Sequence, residues 1–226
     1  MMQSPLLDGN DVVLTAVTKH CEETGRHCAR VQACSRVLAQ GMYHEFRDMI
    51  PSGFVDDLFV ASALHDLGKI TVPPSLLAKL SPLTTEEVSC VQRHTVVGHR
   101  ILAGCKFFES HKIGKIAKEV ALFHHERWDG SGYPAGLKGD AIPLSARIVM
   151  ASDIFDALRN SRAYKASFSM PVVCDIMFNG DGRTMPGHFD PRVLGVLRKV
   201  VHQMDDVSAS TDASFEQRYK GGNDGK

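Results

Sequence analysis

The stretch "FVDDLFVASALHDLGK", residues 54–69, decides the fold. Its apolar residues recur at the spacing of one helix face from Phe54 to Leu64. The run ends in His65 and Asp66, and burying such a pair costs free energy unless the charge is compensated. The stretch therefore predicts an apolar helix that delivers a histidine and a carboxylate to a site needing a cation.

Helical spacing of apolar residues recurs along the rest of the chain. It covers residues 24–41, 84–104, 113–125, 143–160 and 190–201. Thr84 and Glu87 have the spacing of a capping box, and Asp190 followed by Pro191 is typical of a helix start. Alternating strand patterns are hard to find, so we predict an all-α fold.

Three parts of the chain differ from the helical pattern. Residues 1–19 form a lead-in to a single domain over residues 20–204. Within that domain, "ERWDGSGYPAGLKGDAIP", residues 126–143, is rich in glycine and proline and predicts a long structured loop. Residues 205–226 are polar and low in apolar side chains, so we expect a disordered tail.

The composition narrows the functional classes. The 26 basic residues equal the 26 acidic ones, so no global field points to DNA, RNA or an anionic membrane. A charged substrate must then be held by a local cluster or by metal ions. No apolar run approaches the roughly 20 residues that cross a bilayer, and no secretory signal is present. Six scattered cysteines indicate reduced, mostly buried thiols, and we expect a cytoplasmic protein.

Several histidines lie beside apolar helix faces or carboxylates. Glu23 and His27 are four residues apart and would leave the same face of a helix. Taken alone, His94 and the Glu23–His27 pair are more often structural, whereas His124–His125 is evenly balanced and His65–Asp66 needs a compensating charge. Together these groups would leave many buried polar atoms unsatisfied without a metal ion. Imidazole and carboxylate ligands suit Fe, Mn or Zn. The candidate ligands are Glu23, His27, His65, Asp66, His94, His124, His125 and Asp153.

The order of these motifs resembles the HD-GYP family of HD metal-dependent phosphohydrolases. The resemblance runs over about residues 20–200 and is carried by "EETGRH", "ALHDLGKITVP", "HHERWDGSGYP" and "ASDIFDALRNSRAYK". It implies a helical HD-type domain that hydrolyses the bacterial second messenger cyclic di-GMP to pGpG or GMP. It also implies a bi- or trinuclear centre of divalent transition metal, with Fe or Mn the expected ions.

The resemblance assigns roles to individual residues. His65, Asp66, His94, His124, His125 and Asp153 match metal ligands, and Glu23 with His27 matches the extra pair of members with a third ion. Asp66 would bridge two ions, and Lys69 would contact the scissile phosphate. Asp156, Arg162 and Lys165 match the nucleotide pocket, while Gly132, Tyr133 and Pro134 match the signature loop, with Tyr133 also at the substrate. Because successive helical residues point about 100° apart, the adjacent histidines could reach two different ions.

Alternative functions remain open at this level. The substrate could be the mixed cyclic guanylate–adenylate dinucleotide, because short motifs do not fix base choice. The domain could instead be a cyclic dinucleotide receptor that docks a partner, such as a diguanylate cyclase, through the signature loop. A di-iron oxygenase is a third alternative, disfavoured by the Arg162–Lys165 pair and the loop.

Overall fold

The computed structural model describes residues 22–160 and 167–220, except for the side chains of residues 22, 23, 110, 216 and 218–220. Within these residues the chain forms helices and no strand, which confirms the all-α prediction. The α-helices are α1 (Glu22–Glu45), α2 (Phe54–Ser62), α3 (Pro74–Leu77), α4 (Thr85–Gln92), α5 (His94–Ala103), α6 (Lys106–Ser110), α7 (Lys112–Phe123), α8 (Leu144–Arg159), α9 (Met170–Asn179) and α10 (Pro191–Lys220). Short 3-10 turns cover Arg47–Met49, Leu67–Thr71, Gly139–Ala141 and Pro186–His188.

Helix α1 is the central element of the fold. It packs against α10, α2 and α8, and the apolar faces of these helices with α9 form the larger core, which includes Leu38, Phe155 and Leu197. A smaller core lies between α2, α5 and α7 around Leu64 and Leu102. The candidate site lies where these two packed regions meet, so its ligands come from helices that rigid cores hold in place.

The helix predicted over residues 84–104 is interrupted. The capping box of Thr84 and Glu87 is confirmed at its start. The chain then turns at Arg93, so His94 is the first residue of a new helix instead of lying in the middle of one. The side chains of His94 and Thr95 contact the carbonyl oxygen atoms of Val91 and Gln92 at this interruption.

The prediction of a disordered tail is wrong for residues 205–220. They continue α10, which began at Pro191 as the sequence predicted. Phe215 is only 6% exposed, and Ser208 is also buried, so this polar segment is held by a few contacts that its low apolar content did not reveal. Residues 1–21, 161–166 and 221–226 lie outside the described residues.

The cysteines of the described residues are free, as predicted, but they are not mostly buried. Cys28 and Cys34 are buried, whereas Cys90, Cys105 and Cys174 are partly exposed. Among the helices of the described segments, none combines the length and the apolar character needed to span a membrane.

Candidate metal centre

Five separate segments bring the predicted histidines and aspartates together. Their ligand atoms form one group of Asp66, His94, His124 and His125 and a second group of His27, His65 and Asp153, with the atoms of each group within 4.8 Å of one another. The segments are α1, the turns after α2 and α7, the start of α5, and α8. This convergence of His65 with Asp153 is what the sequence predicted.

A glycine allows two of these segments to approach. Gly68 lies directly after the turn that carries Asp66, and a Cβ atom placed on it would lie 1.9 Å from the carbonyl oxygen of His94. Any other residue would therefore push the turn away from α5. The glycine of the sequence "HDLGK" is required for the distance between Asp66 and His94.

Three of the histidines are oriented by backbone carbonyl groups close to them in the sequence. The Nδ1 atom of His65 lies 2.8 Å from Ser62 O, that of His94 lies 2.7 Å from Val91 O, and that of His124 lies 2.9 Å from Val120 O. A carbonyl oxygen only accepts hydrogen bonds, so Nδ1 carries the proton in each ring. Each Nε2 atom is therefore left with a free lone pair that points into the site.

His27 is oriented by a different kind of contact. Its Nδ1 atom lies 2.6 Å from Oδ2 of Asp156, and its Nε2 atom lies 3.1 Å from Oδ1 of Asp153. Both aspartates project from α8, three residues apart, so Asp156 accepts from Nδ1 while Asp153 faces Nε2 from the side of the site. The carboxylate behind the ring fixes its tautomer as the carbonyl groups do for the other histidines.

The unprotonated nitrogen atoms face one another at short distance. His27 Nε2 lies 3.3 Å from His65 Nε2, and His94 Nε2 lies 3.3 Å from His124 Nε2. Two neutral rings with their protons on Nδ1 cannot form a hydrogen bond between Nε2 atoms. In addition, Oδ1 of Asp66 is buried and has no hydrogen-bond partner among the described residues. Cations between these atoms would satisfy all of them, so the residues fit a metal centre.

Asp66 lies between the two groups. Its Oδ1 atom is 3.3 Å from His94 Nε2, and its Oδ2 atom is 3.3 Å from His65 Nε2 and accepts a hydrogen bond from Lys69 Nζ. Burial by itself raises the pKa of this carboxyl, but Lys69 and the histidines outweigh burial and hold the pKa well below its usual range. Asp66 is thus a carboxylate that can face an ion on each side.

The adjacent histidines after α7 are also prepared for metal binding. Burial lowers the pKa of His124 well below its usual value, and the neighbouring histidines lower it further. Burial likewise lowers the pKa of His125 to about 3. Both rings belong to the same group with Asp66 and His94, so their ligand atoms lie close together. The two rings lie 4.1 Å apart between their centroids, with His124 at the end of α7 and His125 the next residue.

The predicted loop folds back over this pair of histidines. Tyr133 stacks on His125 with ring centroids 4.7 Å apart, and burial raises the pKa of its hydroxyl. Gly132 permits this return, because a Cβ atom there would lie 2.3 Å from Arg127 N. The loop then passes through Pro134 on the surface. Sequence analysis predicted a loop with a role beside the site, and the stacking is consistent with that role.

Glu126 holds this loop, and sequence analysis missed it. Its carboxylate is 1% exposed and accepts hydrogen bonds from Ala135 N at 2.7 Å and Leu137 N at 2.9 Å. A charged residue between a histidine pair and a glycine-rich loop gives no periodic signal. Its burial follows only from the path of the loop.

The predicted substrate residues have mixed outcomes. Asp156 does not line an open pocket: it is 1% exposed and its oxygen atoms bond His27, Arg30 and Asn160. Arg162 and Lys165 lie outside the described residues, and so does the side chain of Glu23, whose backbone lies on α1 one turn before His27.

A cleft of about 580 Å³ adjoins the centre. His27 and Lys69 line its inner side, and Leu76, Leu80 and Leu83 are among its apolar walls. Arg183 is an exposed cation on its border that sequence analysis did not single out. The cleft has the volume of a typical small-molecule site, and its lining includes the cations Arg30, Lys69, Lys79 and Arg183.

Comparisons with known proteins agree with this geometry. A family model described as "HD domain" matches residues 11–193. A "Probable cyclic di-GMP phosphodiesterase" of Vibrio cholerae serotype O1 is 38% identical over 192 residues, covering 81% of this chain and 43% of that protein. A "3′3′-cGAMP-specific phosphodiesterase 2" of the same organism is 38% identical over 184 residues, covering 80% of this chain and 32% of that protein.

A solved structure has the same fold. The HDG"Y"P protein from Bdellovibrio bacteriovorus superposes with a TM-score of 0.57 at 18% identity, covering 78% of this chain and 51% of that one. The chain thus spans less than half the length of the two curated relatives and about half of the solved one.

Proposed function

The chain belongs to the HD domain family, and from that premise we propose that it is a metal-dependent phosphodiesterase that hydrolyses cyclic di-GMP to pGpG or GMP. The observation that carries the proposal is the position of Asp66 between two groups of metal-ligand atoms. A carboxylate shared by two ions is the arrangement of two-metal sites that act on phosphate esters. The name of the first Vibrio relative supports the substrate.

We propose Fe or Mn as the resident ions, as the resemblance to the HD-GYP family implies. Imidazole nitrogen mixed with carboxylate oxygen suits divalent transition metals. Glu23 lies four residues before His27 on α1, so its backbone position allows a contribution on the same side. We include it, with His27, as the ligand pair of a third ion.

When bound, the ions would lower the pKa of a water molecule and neutralise charge on the phosphate. The chain's own groups prepare this chemistry. Local carbonyl groups and Asp156 hold protons at Nδ1 of the histidines, so their Nε2 atoms remain available. Lys69 lines the cleft and donates to Asp66, so its ammonium group can contact the scissile phosphate and protonate the departing 3′ oxygen.

The cleft beside Lys69 supplies the space for a dinucleotide. Its apolar wall suits the face of a base, and Arg183 on the border suits a phosphate that does not react. Arg162, Lys165 and Tyr133 complete the proposed substrate contacts. A local set of cations would explain how a chain of zero net charge binds a dianion.

Two features bear on the alternatives. The second Vibrio relative is named for 3′3′-cGAMP and is as similar in identity as the first, so the mixed dinucleotide is the second candidate substrate. The surface of the signature loop at Pro134 is exposed and could dock a diguanylate cyclase or another signalling protein. Docking of this kind is compatible with hydrolysis.

One experiment tests the assignment. Mn²⁺-loaded protein is incubated with cyclic di-GMP, with 3′3′-cGAMP and with a chromogenic phosphodiester, and the products are resolved by chromatography. We expect linear pGpG or GMP from cyclic di-GMP, formed faster than product from 3′3′-cGAMP. Tight binding of cyclic di-GMP without cleavage, in fully metal-loaded protein, would replace the enzyme with a receptor. Oxygen consumption with a small alcohol in place of either result would favour an oxygenase.

A further inference from the structure

The second half of α10 lies against the first turns of α1. Asp212 Oδ1 accepts a hydrogen bond from Arg30 at 2.7 Å, and the ring of Phe215 lies under the guanidinium group of Arg26 at 5.6 Å. The HD domain match ends at residue 193, so these contacts come from a segment outside it. They fall on the part of α1 that carries His27.

Arg30 connects this segment to the metal centre. Its side chain is nearly buried, and its Nε and Nη2 atoms donate to Asp156 at 2.6 and 3.1 Å while Nη1 donates to Asp212. The fork of the guanidinium group is thus held by two carboxylates on different helices. We call the three side chains Asp212, Arg30 and Asp156 the arginine bridge.

The arginine bridge ends at a candidate metal ligand. Asp156 Oδ2 accepts both from Arg30 and from Nδ1 of His27. If Arg30 were paired with Asp156 alone, the guanidinium charge would be compensated by that carboxylate only. Asp156 would then be a weaker hydrogen-bond acceptor for the imidazole of His27. With Asp212 present, two carboxylates share one guanidinium charge, and Asp156 retains negative charge for His27.

We propose that Asp212 is a positioning residue for the ion held by His27, acting through Arg30 and Asp156. The carboxylate fixes the fork of Arg30, the fork fixes Asp156, and Asp156 keeps the proton of His27 on Nδ1. The inference rests on the metal centre of the proposed function and is independent of which substrate is cleaved. It gives the segment beyond the HD domain match a role in metal affinity.

The same helix provides a matched control. Asp205 accepts from Arg159 at 2.7 Å, the same length as the Asp212 contact, and both members of this pair are about one-quarter to one-third exposed. Both carboxylate oxygen atoms of Asp205 accept from Arg159, at 2.7 and 3.4 Å. Losing it removes an ion pair of α10 while leaving the arginine bridge in place.

The test is Mn²⁺ binding to the full chain, measured by calorimetry and paired with thermal unfolding of the metal-free protein. Removing a direct partner of a metal-ligating histidine costs about 10- to 100-fold in affinity. Asp212 acts one residue further away, so we expect Asp212→Asn to weaken one class of Mn²⁺ site by about three- to tenfold. Asp205→Asn should leave Mn²⁺ affinity unchanged, and Asp212→Glu should restore it.

The outcomes are distinct. Wild-type Mn²⁺ affinity in Asp212→Asn would reduce this residue to a helix contact, and equal weakening in Asp205→Asn would show a general loosening of α10; either result overturns the inference. A wild-type chain that binds no Mn²⁺ would overturn both the inference and the metal centre. Selective weakening in Asp212→Asn without any hydrolysis of cyclic di-GMP would support the arginine bridge and overturn only the phosphodiesterase.

Discussion

The histidines of the centre are held in two different ways. His65, His94 and His124 each bond a carbonyl group three or four residues away, so their orientation belongs to the local turn. His27 bonds Asp156, which is 129 residues away, and that aspartate is held by Arg30. One part of the site is set by local backbone, and the other requires α1, α8 and α10 to be packed together.

The two parts of the site should therefore differ in their sensitivity to side-chain substitutions: one is robust and the other is sensitive. A carbonyl group inside the same turn cannot be lost by a side-chain substitution, whereas a carboxylate on another helix can. We therefore expect the group of Asp66, His94, His124 and His125 to keep its ion in variants that disturb helix packing. The group containing His27 should lose affinity first. The following predictions test this contrast, beginning with Asp66, which lies between the two groups.

The largest effect is expected from Asp66→Ala. It removes the carboxylate that faces both groups, so both ions should be lost. The difference in metal affinity between the two groups should then disappear. Metal content by elemental analysis should fall for more than one ion, and hydrolysis of cyclic di-GMP should be abolished. The matched control is Asp57→Ala on α2, since Asp57 is also buried but pairs with Lys112 away from the centre. Retention of both ions in Asp66→Ala would rule out a shared carboxylate.

A smaller and more selective effect is expected from Asp156→Asn. Asparagine keeps the shape of the side chain but loses the charge, and its amide could turn a donor toward Nδ1 of His27. The ring would then favour the wrong tautomer, and the affinity of its ion should fall by about 10- to 100-fold. Mn²⁺ titration should show one weakened class and one unchanged class. If both classes weaken equally, the two parts of the site are not independent.

The success of the sequence-based predictions also differs between the locally oriented part of the site and the part around His27. His65, Asp66, His94, His124, His125 and Asp153 were predicted as candidates, and the structure brings all of them together. Their motifs are local, and apolar helix faces carry them to the core. The all-α fold was predicted for the same reason, since helical periodicity is a local signal.

The errors concern contacts over long separations. Asp156 was expected at the nucleotide and instead supports His27, because no spacing in the sequence shows that Arg30 lies beside it. Residues 205–220 were expected to be disordered, because their composition does not reveal that Asp212 and Phe215 meet α1. Arg30 lies three residues after His27 on one helix face, which is the only signal that could have indicated a partner.

Acid should destabilise the metal-free protein through the three histidines that are grouped with Asp66. Burial lowers the pKa of His94 and of His124, and it lowers that of His125 to about 3. Below about pH 6.5 the unfolded chain therefore binds more protons than the folded one, and the free energy of unfolding falls as pH decreases. Asp66 and Asp153, whose pKa values are lowered, contribute a comparable loss only below about pH 4.

The measurable window for the histidines is thus from about pH 6.5 to 5, where His125, with its pKa lowered to about 3, would cost about 1–2 kcal/mol. Thermal unfolding with a chelator present should show the decline, and saturating Mn²⁺ should reduce it because ions compete with protons. His202→Gln, at an exposed position on α10, should leave the slope unchanged. If the metal-free protein were equally stable at both ends of this window, the lowered pKa values of the histidines grouped with Asp66 would be contradicted.

The smallest effect is expected where the loop meets the robust part of the site. In Glu126→Gln one oxygen atom can still accept from Ala135 or Leu137, but the other is replaced by an amide group that faces a backbone donor. Loss of one charge-assisted hydrogen bond costs about 2 kcal/mol, and part of this cost should appear as loosening of residues 132–137.

In Glu126→Gln, His124 keeps its bond to Val120 O, so Mn²⁺ content should not change. Because Tyr133 stacks on His125 and is one of the proposed substrate contacts, KM for cyclic di-GMP should rise by about threefold to tenfold with little change in kcat. Glu119→Gln, which alters a partly exposed carboxylate bonded to Ser145, is the control for a lost side-chain contact away from the loop. Loss of an ion in Glu126→Gln would mean that the loop, and not the local carbonyl group alone, holds the adjacent histidines in place.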